Sequence, residues 1–275
     1  MTTTTLLAIE NDVFQNIETL RRNREKRNAL GQCFFEGVRN INNAIQYGWK
    51  IDAFLYTKDR RLSPWAEEIL KAGKAKKHYE LPLHLLRKLS EKEEPSELLA
   101  VASLPKDDLT RIPLSKNLFV VVFDRPSSPG NLGTILRSCD AFGVDGVIIT
   151  GHAVDVYDPE TIRAATGSIF ALPIVRMESH KELLPWFEKI RRHNGDFQII
   201  GTDEKGTAPL FDCTFTRPTV LLVGNETRGL SAAYLELCDT LAKIPMQGSA
   251  SSLNVACATS IALYEMQRQR GVVAK

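Results

Sequence analysis

The sequence predicts an α/β protein in two parts: a C-terminal parallel sheet flanked by helices, and a smaller N-terminal α/β domain. Three observations predict it. Apolar runs such as Leu118–Phe123 and Gly146–Thr150 are unbroken and rich in β-branched residues, as in parallel strands buried on both faces. These runs alternate with helical segments through the second half of the chain. A polar stretch with two prolines, Leu104–Pro113, separates Leu98–Ala102 from Leu118–Phe123 and reads as a linker. The expected division is a domain at 1–105, a linker at 106–117 and a second domain at 118–275.

Each element follows from local pattern. In the N-terminal part Asn11–Leu20 is helix-like, Cys33–Phe35 is a short strand, and Arg39–Tyr47 is a helix stopped by Gly48. Ile51–Tyr56 is a strand, Pro64–Ala72 a helix ending at Gly73, and Leu83–Leu89 a further helix. In the C-terminal part the strands are Leu118–Phe123, Gly146–Thr150, Pro173–Val175, Phe197–Thr202, Val220–Val223 and Ala242–Ile244. Helices fall between them at Leu132–Phe142, Pro159–Ala165, His180–Arg192 and Ala232–Cys238, and a last one runs from about Leu253 to Gln269. That last helix stays apolar until Glu265, so it is expected to be buried on most faces, a second subunit being one way to do so. No internal repeat is present, and the only low-complexity tract is the N-terminal threonine run.

Composition bounds the function. With 275 residues, 43% hydrophobic and 25% charged, the chain is globular rather than disordered. A net charge of +2 excludes a polybasic protein, but it hides a split. Residues 1–117 carry 20 Lys/Arg against 16 Asp/Glu, and residues 118–275 carry 15 against 17. The basic excess is local, with Arg21, Arg22, Arg24, Lys26 and Arg27 in one cluster and Lys71, Lys74, Lys76 and Lys77 in another. Such clusters suit phosphate contacts, and equally suit a solvated helix face. Cys33, Cys139, Cys213, Cys238 and Cys257 are scattered without zinc spacing, so they are expected to be reduced thiols filling the core, with no metal site. No signal-peptide layout opens the chain, and Ile244–Tyr264, the longest uncharged stretch, is too polar to span a bilayer. A cytoplasmic protein is expected.

Ligands of open α/β sheets bind beyond the carboxyl ends of the strands. Three such ends are unusual here. Asp124-Arg-Pro-Ser-Ser-Pro-Gly130-Asn131-Leu-Gly133 leads into a helix carrying Arg137, with Asn131 as a candidate helix cap and Arg137 as a candidate for a plain salt bridge. Val223-Gly224-Asn225-Glu226-Thr-Arg228-Gly229-Leu230 lacks both a P-loop and a GxGxxG fingerprint, which argues against an unrelated nucleotide-binding enzyme. Ile244-Pro245-Met246-Gln-Gly248-Ser-Ala-Ser-Ser252-Leu253-Asn254-Val255 is a long uncharged loop whose backbone groups suit a neutral heterocycle better than a polyphosphate.

In this order the three segments resemble the signature motifs of the SpoU/TrmH branch of SPOUT RNA methyltransferases, over about residues 118–270. Leu20-Arg-Arg through Arg27, with Phe34-Phe35-Glu36-Gly37-Val38-Arg39, resembles the substrate-binding domain of that family, which is similar to RNA-binding ribosomal proteins. The resemblance implies S-adenosylmethionine-dependent methylation of a ribose 2′-hydroxyl in structured RNA, rRNA ahead of tRNA. It also implies a trefoil knot and a homodimer. Asn131, Arg137, Glu226, Ser252 and Asn254 are the implied catalytic set. Thr202, Gly224, Ile244, Met246 and Leu253 are the implied cofactor contacts. Arg21, Arg22, Arg24, Lys26, Arg27 and Arg39 are the implied RNA-binding residues. Ala256 stands where the family usually has serine. A guanidinium is a poor general base, so Arg137 is expected to act electrostatically, with Glu226 orienting it or the ribose. The rival reading is an RNA-binding protein that keeps the fold without catalysis.

Overall fold

The computed structural model describes residues 3–90 and 92–271. Its chain divides into two compact units, one formed by the residues up to Pro105 together with Asp155–Ala171, the other by Lys106–Val154 and the residues from Leu172 on.

The first unit runs β1 (Thr3–Leu6), α1 (Asp12–Arg22), α2 (Arg24–Leu30), β2 (Gln32–Glu36), α3 (Val38–Gln46), β3 (Ile51–Tyr56), α4 (Pro64–Lys71), β4 (Ala75–Glu80), α5 (Leu83–Leu89) and β5 (Leu99–Ser103). Its sheet has the order β1-β4-β3-β5-β2, with β1, β4 and β3 parallel and β5 antiparallel to both β3 and β2. Phe14, Ile17 and Leu20, spaced for one face of α1, pack in a core with Phe34, Leu55 and Leu86. Two strands differ from expectation. Thr3–Thr5 of the threonine run lie on β1, and Lys76 and Lys77 lie on β4, so the second basic cluster does not form one helix face. Lys76 pairs with Asp52, and Lys71 pairs with Glu67 one turn back on α4.

The second unit continues with β6 (Phe119–Asp124), α6 (Pro129–Ala141) and β7 (Gly146–Thr150). The chain then forms α7 (Pro159–Ala165) and α8 (Ser168–Ala171), which belong to the first unit although they lie within the expected 118–275 domain. The physical reason is a set of contacts to the first unit. The Arg27 side chain pairs with Asp155 and Asp158, Trp49 Nε1 donates to the Phe170 carbonyl at 2.9 Å, and the Phe35 and Phe170 rings stand 4.6 Å apart. After α8 come β8 (Ile174–Met177), α9 (Leu184–Asn194), β9 (Gln198–Thr202), β10 (Ala208–Pro209), β11 (Thr219–Val223), α10 (Ala232–Leu237), β12 (Thr240–Lys243) and α11 (Val255–Arg270).

Seven parallel strands take the order β10-β12-β9-β11-β6-β7-β8. Every residue of β6, β7 and β11 is buried, which is why their sequences read as continuous apolar runs. Val120, Val122, Val220 and Leu222 share a core with Trp186, Phe187 and Ile190 of α9 and Tyr234 of α10. From β6 the chain moves outward through β7 and β8, then returns on the other side to lay down β9 before β11 fills the gap. The carboxyl ends of β9, β11 and β6 therefore flank a topological switch point, where open sheets place ligands.

The last helix is apolar on most faces without being buried on most. Ala256, Ala262, Leu263 and Met266 are buried, whereas Cys257, Ile261 (41% exposed) and Tyr264 (60%) form an exposed stripe. Of the cysteines, Cys33, Cys139 and Cys213 are buried; desolvation, then the nearby Asp155 charge, pushes the Cys33 thiol up to about 12. Among the described residues no helix is long and apolar enough to cross a membrane.

Candidate active site

Three loops meet beyond the strand ends. The first leaves β6 at Asp124, a buried carboxylate. Arg125 follows in the left-handed region at φ +53° and folds back on Asp124 with two hydrogen bonds of 3.0 and 2.9 Å. Such backbone strain in a non-glycine residue persists only where its surroundings fix it. Here they do: Arg125 Nη2 donates to the Gly229 carbonyl at 3.2 Å, and Asn225 Nδ2 donates to the Arg125 carbonyl at 2.7 Å. Ser128 caps α6, with Pro129 in its first turn, and accepts from the Asn131 backbone N–H at 3.3 Å. Asn131 is thus not the cap it was expected to be, and its side chain is free for other work.

The second loop follows β11. Asn225 and Gly229 exchange backbone hydrogen bonds of 3.0 and 2.9 Å, closing a tight hairpin, and Asn225 Oδ1 accepts from the N–H groups of Thr227 and Arg228. The closure requires glycine at 224, where a Cβ would stand 2.4 Å from the Gly229 carbonyl carbon and the Leu230 nitrogen. Neither backbone atom can yield cheaply, so Gly224→Ala is expected to destabilise the fold by about 1–3 kcal/mol. It should also weaken binding of S-adenosylhomocysteine; denaturant unfolding and calorimetric titration check the two effects.

Glu226, at the tip of that hairpin, holds the first loop. Its Oε2 accepts from the Ser127 N–H (2.9 Å) and hydroxyl (2.7 Å), and its Oε1 from the Ser128 N–H (2.9 Å) and Asn131 Nδ2 (3.4 Å). Burial pushes the Glu226 carboxyl up. The Ser127 hydroxyl and the N–H groups of Glu226, Ser127 and Ser128 outweigh it and hold the carboxyl below its usual value. The third loop joins at Asn254, whose Nδ2 donates to Asn131 Oδ1 at 3.0 Å. Asn254 Oδ1 caps α11, accepting from the N–H groups of Ala256 (2.8 Å) and Cys257 (3.4 Å). Residues from all three motifs therefore form one relay, Asn254 to Asn131 to Glu226. Ser138 and Ser260 extend the pairing of α6 with α11 through a 2.8 Å hydroxyl contact. Ala256, in place of the family's serine, is buried in the first turn of α11, where its carbonyl accepts from the Ser260 hydroxyl.

Beside this relay lies a pocket of about 350 Å³ at the carboxyl ends of β9, β11 and β12. All five expected cofactor residues, Thr202, Gly224, Ile244, Met246 and Leu253, line it, as do Ser252 and Glu226. On its β12 side the apolar Ile244, Met246 and Leu253 stand beside Lys243, and Lys205 and Arg228 also line the wall. The apolar group suits an adenine ring and a thioether.

Two expectations about charge need correction. Arg137 is exposed on α6, makes no hydrogen bond or ion pair among the described residues, and does not line the pocket, so Glu226 orients the Ser127–Asn131 loop rather than Arg137. Arg27, expected to grip RNA, is 2% exposed. Its Nε meets Asp155 at 2.6 Å and its Nη2 meets Asp158 at 3.1 Å, while Nη1 donates to the carbonyls of Leu20 and Arg21. Arg22, Arg24, Lys26 and Arg39 are exposed, and the half-buried Arg21 donates to the carbonyls of Lys88 and Ser90. Ser127, Ser128, Asp124, Arg125 and Asn225 lie in the segments that the sequence marks but receive no role from it; the signal for the serines is Ser128-Pro129, a helix-start pair. Among the described residues no group of three or more His, Cys, Asp or Glu side chains could hold a metal.

Comparison with known proteins decides the family. Residues 118–264 match the SpoU rRNA methylase family, and residues 11–100 match the SpoU L30e-like domain. The chain belongs to the SpoU rRNA methylase family. It is 48% identical over 258 residues to a 23S rRNA (uridine(2479)-2′-O)-methyltransferase of Streptomyces viridochromogenes, covering 94% of this chain and 90% of that protein. It is 32% identical over 244 residues to the 23S rRNA (guanosine(2553)-2′-O)-methyltransferase RlmP of Bacillus subtilis, covering 89% and 92%. Among solved structures, the SpoU methyltransferase AviRb of Streptomyces viridochromogenes in complex with AdoMet superposes with a TM-score of 0.91 at 48% identity, covering 94% of this chain and 98% of that one. With SpoU membership the expected class stands: an S-adenosylmethionine-dependent RNA ribose 2′-O-methyltransferase with an α/β parallel-sheet fold.

Proposed function

We propose that this SpoU methyltransferase modifies a ribose 2′-hydroxyl of 23S ribosomal RNA, at a uridine, as the name of its 48% identical relative indicates for that protein. The observation that carries the reading is the relay from Asn254 through Asn131 to Glu226, set against the pocket that holds the expected cofactor residues.

S-adenosylmethionine supplies a methyl group on a sulfonium whose departure as a neutral thioether needs no acid. The chain's task is therefore to position the ribose hydroxyl and stabilise its developing charge. Glu226 is filled by donors and kept ionised, so it builds the loop that presents Asn131 rather than taking the proton. Ser252, on the pocket wall, hydrogen-bonds the target sugar. Arg137, free and exposed, holds a neighbouring phosphate or the developing alkoxide.

The exposed Arg22, Arg24, Lys26 and Arg39, with Arg21, form the RNA-binding set once Arg27 is removed from it. Contacts of this kind make affinity fall steeply with salt. The same reading includes a trefoil knot in the C-terminal unit, a cytoplasmic location, and a homodimer in which a second copy covers the Cys257, Ile261 and Tyr264 stripe. Mass-spectrometric mapping of 2′-O-methyl nucleosides, with and without the gene, tests the function. The expected outcome is loss of one 2′-O-methyluridine from 23S rRNA; loss from tRNA alone, or no loss, would refute it.

A further inference from the structure

We propose that Asp203 is the anchor of the cofactor's ribose, through a carboxylate oxygen that the fold fixes in place and leaves unpaired. The proposal rests on the assignment of the pocket to S-adenosylmethionine.

Asp203 is the first residue after β9 and lines the pocket. It is held from several sides. Its N–H donates to the Ala242 carbonyl at 3.0 Å, its carbonyl accepts from the Gly206 N–H at 3.1 Å, and its Oδ1 accepts from the Lys205 N–H at 2.8 Å. Gly206 locks the turn against β12, since a Cβ there would stand 2.7 Å from the Ala242 carbonyl carbon and the Leu241 oxygen. Oδ1 is thus committed to the turn. Oδ2 has no hydrogen-bond partner among the described residues and is directed at the β11 hairpin, where a Cβ on Gly229 would lie 3.4 Å from it. The other two carboxylates on the wall differ: Glu226 is filled by five donors, and Glu204 is exposed. Asp203 is therefore the one half-buried, pre-oriented carboxylate of this pocket with an oxygen to offer.

An anionic oxygen that the fold holds in place at the pocket wall, without a protein donor, is open to the donors of a ligand. The sheet order says which part of the ligand does. β9 stands between β12 and β11. Beyond Lys243 the β12 side offers Ile244, Met246 and Leu253, an apolar group suited to adenine, while the β11 side leads to Glu226 and Asn131, where the reacting end belongs. A nucleoside reaching from one to the other brings its sugar past the end of β9. The vicinal hydroxyls of that sugar are two O–H donors, and a carboxylate takes them in charge-assisted hydrogen bonds.

The test is calorimetric titration of the full chain and of Asp203→Asn with S-adenosylhomocysteine and its 2′,3′-dideoxyribose analogue. Asparagine keeps the Oδ1 acceptor that the turn needs and removes the charge. The wild type is expected to bind S-adenosylhomocysteine about tenfold or more tightly than the analogue, and Asp203→Asn to shrink that preference to about twofold or less. A wild type that does not distinguish the two ligands overturns the proposal without reference to any variant. So does an Asp203→Asn protein that distinguishes them as the wild type does, whether both affinities are unchanged, which leaves the carboxylate idle, or both are weakened equally, which gives Asp203 to the turn or to the ligand's ammonium. Failure of the wild type to bind S-adenosylhomocysteine overturns the cofactor assignment of the pocket, and the proposal with it.

Discussion

Arg137→Ala is expected to lower methyl transfer by about 10²–10³-fold, the scale seen when one donor to a developing oxyanion is removed. Binding of S-adenosylhomocysteine should change by less than about twofold, since the guanidinium meets the RNA and not the cofactor. The geometry sets up this separation. Arg137 is exposed, carries no hydrogen bond or ion pair among the described residues, and lies outside the pocket wall, so neither the fold nor the cofactor loses a contact when it is truncated. A cation with nothing to hold, six residues along α6 from Asn131 in the relay, is available to the RNA. A guanidinium stays protonated and grips oxygens bidentately, so Arg137→Lys should recover part of the rate by charge alone and miss the remainder. Single-turnover rates beside calorimetric affinities make the measurement. Near-wild-type turnover by Arg137→Ala would sink the assignment.

What the sequence revealed of this molecule follows burial. β6, β7 and β11 were legible because strands buried on both faces leave no polar alternation to confuse the pattern. β1 and β4 were not, because β1 is exposed throughout and β4 mixes exposed lysines with buried residues, so neither shows an apolar run. The motif residues of the site were legible as a set; their roles were not. Asn131 was read as a helix cap because it stands among turn-formers, yet Ser128-Pro129 takes that position and Asn131 joins Glu226 to Asn254. Asn254 turned out to be the cap, of α11, one residue after the expected helix start. Glu226 is expected from the sequence to orient Arg137 or the ribose, whereas its oxygens accept from Ser127, Ser128 and Asn131, which are 95 to 99 residues away in the chain. Asp203 was passed over entirely, because an aspartate after a strand is common in turns and only three dimensions reveal which of its oxygens is spare.

Arg27→Ala is expected to destabilise the protein by about 3–5 kcal/mol, the range for breaking a buried ion pair by removing one partner. A melting midpoint lower by on the order of 10 °C would correspond to this in a protein of this size. The chain offers no reason to expect it, since Arg27 sits in a run of four other cations and its acidic partners are 128 and 131 residues away. In the fold Asp155 is nearly as buried as Arg27, and truncation would strand its carboxylate away from water while also freeing the carbonyls of Leu20 and Arg21. The damage should be local first. Hydrogen exchange ought to rise in the segment Asp155–Ala171, which the pair fastens to the first unit, before it rises in the strands of the parallel sheet. Arg27→Met combined with Asp155→Leu should regain part of the loss, because apolar side chains of similar volume often replace a buried ion pair without cost. An Arg27→Ala protein that melts within about 1 kcal/mol of the wild type would return Arg27 to the surface set, as an RNA contact of ordinary exposed-cation worth.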